Sequence, residues 1–124
     1  MFYIFYALTF FPGVCKIDLL ILLDISNSIT ESVFDNQIKG FLRKLVANDK
    51  LSVGPDDTNI AMIRFSNTEN TEPLFKFGEK PRQTDLEDYF TGNEFTWNGL
   101  SGDRTRTGLA FHIANTNEVR YPNN

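Results

Sequence analysis

The 124-residue sequence holds one cysteine, one histidine and one tryptophan. Each scarcity excludes a class of chemistry. Cys15 alone closes no disulfide within the chain and builds no thiolate metal cluster. His112 has no second ligand near it in sequence, so it reads as a surface or hydrogen-bonded histidine. No Ser–His or Cys–His pair supports nucleophilic catalysis. The phosphate-loop, nucleophile-elbow and H-E-x-x-H patterns do not occur, and no enzymatic activity is expected. Lys and Arg are scattered over a chain of net charge −4, with no basic stripe to meet phosphates, which argues against nucleic acid as a partner. No apolar run approaches the roughly 20 residues a helical membrane span needs.

What is present is an ordinary globular balance, 41% hydrophobic and 23% charged, with 12 phenylalanines to fill a small core. The length suits one domain. Residues 1–11 are almost wholly apolar and end at Pro12-Gly13. Their length fits the apolar core of a secretory signal, with small residues before Lys16 for cleavage, although a basic start is missing. Residues 1–15 are therefore expected to be an apolar leader ahead of a domain over 16–124. The alternative is an extra strand.

Continuous apolarity over residues 17–23 predicts a strand buried on both faces, as in parallel sheets covered by helices. Ser28-Ile29-Thr30-Glu31 matches a capping box and predicts a helix from about Ile29–Glu31 to Asn48. Phe34, Ile38, Phe41, Leu42 and Leu45 form its apolar face. A loop over 51–57 leads to a strand at 58–65. A polar turn connects it to a third strand at 72–77, with Phe75 and Phe77 on one side. The short link makes this pair an antiparallel hairpin, and Pro73 suggests an edge position. A short helix capped by Thr84 follows. A loop over 91–103 offers Phe95, Trp97 and Leu100 for packing. A last helix is expected over 105–115, with Leu109, Ala110 and Ile113 toward the sheet. The fold class is α/β, a partial doubly wound sheet with helices on both faces and an antiparallel edge hairpin. The C-terminal strands of such a sheet are missing from the sequence.

Open α/β sheets bind ligands beyond the carboxyl ends of their strands. Asp24, Ser26 and Ser28 occupy such an end and present one carboxylate and two hydroxyls in five residues. Hard oxygens suit Mg²⁺, Mn²⁺ or Ca²⁺ rather than zinc or copper. A lone carboxylate under-neutralises such an ion and leaves it able to take an acidic ligand. Thr105 stands at the predicted start of the last helix, at the same sheet edge. Together with Val53-Gly54-Pro55, Ile63-Arg64-Phe65-Ser66 and the stretch 102–110, these residues resemble a von Willebrand factor type A domain, also called integrin I-like, over about residues 15–120.

The resemblance implies a metal-ion-dependent adhesion site with Asp24, Ser26, Ser28 and Thr105 as ligands, and Thr107 as a local hydrogen-bonding residue. It implies a protein partner offering an Asp or Glu carboxylate, collagen or another matrix protein among them, and a secreted, extracellular location. Cys15 matches a family cysteine placed before the first strand and paired after the last helix; that partner has no counterpart here. The family's remaining ligand, an Asp after the next parallel strand, has none either, and the central strand is expected to be left as an exposed edge. An intracellular scaffold of an ATPase or chelatase-type assembly, and a non-functional fragment, are the other readings.

Overall fold

The computed structural model describes residues 2–11, 14–97, 105–116 and 119–120, with side chains from Ile17 onward. Among the described residues the sheet has four strands in the order β1-β2-β3-β4: β1 (Phe2–Phe11), β2 (Val14–Asp24), β3 (Asn59–Phe65) and β4 (Glu72–Phe75). β2 and β3 are parallel, from Asp18 opposite Asn59 to Asp24 opposite Phe65. β3 and β4 form the expected antiparallel hairpin, with a register irregularity at Met62/Ile63. β4 lies at the sheet edge, where Pro73 removes no hydrogen bond the sheet interior needs.

The apolar segment expected as a leader is strand β1, antiparallel to β2 from Phe2 opposite Leu23 to Phe11 opposite Val14. The expectation of an exposed central edge is thereby corrected. β2 is flanked on both sides, by β1 and β3, because an uncharged segment joined to it by two residues can satisfy its free backbone groups. The added ladder also starts β2 earlier than residue 17. Cys15 thus lies within the strand, opposite Phe10, rather than ahead of it.

Helices cover both faces. On one face Leu19, Ile21, Leu23, Ile60 and Met62 pack with Phe34, Ile38, Leu42 and Val46 of the first helical stretch, and with Leu86, Phe90 and Phe95. On the other, Leu20, Leu22, Ala61, Ile63 and Phe65 pack with Ala110 and Ile113. These last two belong to α4 (Thr107–Asn115), which begins two residues later than expected. Phe75 joins the first cluster and Phe77 the second. The strand ends at Phe75, so the period-2 rule that put both on one side no longer applies at Phe77.

The first helical stretch is not one regular α-helix. α1 (Glu31–Val33) passes into a π-helical segment (Phe34–Ile38) and then α2 (Lys39–Val46). The wider i→i+5 winding changes which residues face inward. Positions four apart drift about 40° per step in an α-helix. The π segment offsets part of that drift, and Phe34, Ile38, Leu42 and Val46 are all buried. Phe41, expected inward, is instead 40% exposed.

The cap also differs from expectation. Thr30, not Ser28, accepts from the Val33 N–H at 3.2 Å. Thr30→Ala is expected to destabilise by about 1 kcal/mol, and Ser28→Ala by much less, in urea unfolding. The N-cap of α3 (Gln83–Thr91) is Arg82 rather than Thr84, and its backbone N–H and guanidinium both donate to the Asp85 carboxylate. That guanidinium holds the Asp85 carboxyl below its usual range. α3 adds an aromatic cluster: Phe75 against Tyr89 at 5.2 Å and Phe90 against Phe95 at 5.2 Å between ring centroids.

Candidate functional site

The loop after β2 is anchored by buried apolar residues at each end. Ile25 and Ile29 are buried in the core cluster under the first helical stretch. Asn27 and Ser28 between them are exposed, Ser26 is buried and Asp24 half-buried. The two isoleucines are the anchors and the oxygens are what they hold up. The Ile25 N–H donates to the Phe65 carbonyl at 3.1 Å, extending the β2–β3 ladder one residue into the loop. The Ile29 N–H donates to the Ser26 carbonyl at 2.8 Å and closes a tight turn.

Within that turn the functional atoms are fixed by one another. The Ser26 N–H donates to Asp24 Oδ1 at 2.8 Å, the local side-chain-to-backbone bond that aspartate makes at turns. Ser26 Oγ and Ser28 Oγ share a hydrogen bond at 3.0 Å. Carboxylate and hydroxyls are thus assembled in one loop. Ser28, released from the capping role by Thr30, is free to serve this pair.

Thr105 reaches the same end of the sheet by another route. The N–H of Arg106 donates to the carbonyl of Ser66 at 2.7 Å. Ser66 follows Phe65, whose register partner is Asp24. Thr105 is exposed, and among the described residues no hydrogen bond ties it to Asp24, Ser26 or Ser28. The structure therefore joins three of the four expected ligands directly and sets the fourth at the shared edge. Thr107 is the first residue of α4 and half-buried. Leu100 and residues 102–104 lie outside the described residues.

The donor set fits a hard divalent cation. It is all oxygen, with one carboxylate against a double positive charge. Among the described residues no group of three or more His, Cys, Asp or Glu is placed to hold a metal, and the loop itself contributes a single carboxylate. Exposed His112 on α4 takes no part.

Sequence reasoning missed one residue at the loop. Trp97, expected only to pack, donates its indole N–H to the Ile29 carbonyl at 3.1 Å. The 68-residue separation leaves no local pattern from which to read this contact.

Among the described residues no helix is long and apolar enough to cross a membrane. Residues 18–121 match the family model for the von Willebrand factor type A domain. No curated protein matches the chain.

Proposed function

Because the chain belongs to the von Willebrand factor type A domain family, whose domains mediate protein–protein interaction, we propose that Asp24, Ser26, Ser28 and Thr105 form a divalent-cation site for adhesion. Mg²⁺ is the first choice of ion, with Mn²⁺ or Ca²⁺ as substitutes. Through this site the domain binds an Asp or Glu carboxylate of an extracellular protein, a matrix protein such as collagen being the partner class the family resemblance suggests. The observation that carries the proposal is the geometry of the loop, in which Ser26 N–H orients the Asp24 carboxylate and the Ser26 and Ser28 hydroxyls lie together.

When bound, the cation would supply a Lewis-acidic position for a partner carboxylate. The chain's own residues do the rest. Asp24 contributes the single negative charge, and its Oδ1 is held by a backbone donor so that the carboxylate does not turn away. Ser26 and Ser28 offer neutral oxygens, which leaves the site short of negative charge and receptive to an anion. Thr105 supplies a further hydroxyl from a second segment.

The test is thermal unfolding of the full chain with Mg²⁺ or with EDTA. A ligand that binds only the folded state at a hundredfold excess over its Kd stabilises by about 2.7 kcal/mol, on the order of 10 °C for a domain of this size. A rise of that kind, reversed by EDTA, is the expected result. Identical melting in Mg²⁺, Mn²⁺ and EDTA would remove the basis of the proposal.

A further inference from the structure

We propose that Trp97 is a positioning residue of the cation loop, acting through the Ile29 carbonyl. The inference rests on the reading of Asp24, Ser26 and Ser28 as cation ligands. Trp97 is half-buried and packs against the core cluster that contains Ile25 and Ile29. Its indole N–H meets the Ile29 carbonyl at 3.1 Å. The N–H of that same Ile29 closes the turn on the Ser26 carbonyl at 2.8 Å. The indole and the Ser26 carbonyl thus hold the two adjacent peptide units of Ile29, one on each side of its Cα, and link the loop after α3 to the backbone of the turn that carries the hydroxyl pair. The other end of the link is equally well placed: Phe95, two residues before Trp97, is fully buried, with its ring 4.9 Å from that of Phe34.

The chemistry follows from what the N–H can fix. Indole nitrogen is a donor only, so it constrains the direction of the Ile29 carbonyl and with it the peptide plane. Ile25 and Ile29 fix the turn at its apolar positions, and the indole adds a directional constraint on the backbone that leads out of it. Residues that orient metal ligands through hydrogen bonds typically change affinity roughly 10–100-fold when removed.

Trp97→Phe keeps an aromatic ring and removes the N–H. Its expected signature is Mg²⁺ affinity about tenfold or more weaker by calorimetry, with melting in EDTA close to that of the unaltered chain. A merely structural tryptophan would lower the EDTA melting temperature and leave the affinity of the folded fraction unchanged, which would overturn the proposal. If Trp97→Phe does not fold, the unaltered chain decides, because Trp97 is its sole tryptophan. Saturation with Mg²⁺ should then change the indole emission, and Asp24→Ala should abolish that change. Emission indifferent to Mg²⁺, in a chain that calorimetry shows to bind it, would overturn the positioning role alone. Absence of any Mg²⁺ binding to the unaltered chain would overturn the cation site and this inference with it.

Discussion

Asp24→Ala is expected to abolish the Mg²⁺-dependent rise in melting temperature and every chelator-sensitive interaction of the domain. The carboxylate is the one formal charge among the four proposed ligands. Two unit charges about 4 Å apart interact by about 4 kcal/mol in the effective medium near a protein surface, and half of that already exceeds tenfold in affinity. The substitution has a second consequence, because Asp24 Oδ1 is also the acceptor for the Ser26 N–H. Leaving that amide without its acceptor costs on the order of 1 kcal/mol in the absence of metal. Asp24→Asn separates the two roles. It keeps an oxygen acceptor for Ser26 and loses the charge, so its melting in EDTA should stay near that of the unaltered chain while the Mg²⁺ response disappears. Retention of the full Mg²⁺ shift by both variants would place the cation elsewhere.

Phe34→Ala should have the largest effect on stability. Its ring is fully buried at the start of the π segment, against Phe95. Truncating such a ring costs about 3–5 kcal/mol, against a total of about 5–15 kcal/mol for a typical domain. Phe41→Ala, one of the positions that α-helical spacing places inward, should cost well under half as much, because Phe41 is 40% exposed. Urea unfolding of the two variants reads the helical phase directly. A Phe41 effect equal to or larger than that of Phe34 would mean that the stretch winds as an α-helix throughout.

Those two phenylalanines also show where sequence reading stopped. The strand at 58–65, the start of the next at Glu72, the hairpin between them, the edge position of Pro73 and the inward face of the last helix were legible, because each is set by neighbours within a few residues. The π turn selects the four-residue spacing of Phe34, Ile38, Leu42 and Val46, whereas Phe41 and Leu45 offered an equally apolar α-helical face. Ser28 and Thr30 both satisfied a local rule for capping. Which one caps depended on the path of the chain out of β2, and the answer left Ser28 to pair with Ser26. The loop itself was legible as a cluster of oxygen donors. The bracing by Trp97 and the anchoring of Arg106 on Ser66 were not, since both join segments far apart in sequence.

The pairing of β1 with β2 has a consequence for the order of assembly. Hairpins close in about 1–10 μs, and only two residues separate these strands. The parallel partner β3 begins at Asn59, beyond the whole first helical stretch, and closing so long a connection costs more chain entropy. β2 is therefore expected to acquire its antiparallel neighbour first, with β3 docking onto a ribbon already formed. Until it does, that ribbon presents an apolar strand with an unoccupied side. The interval before β3 arrives is when this chain is most exposed to pairing with another molecule.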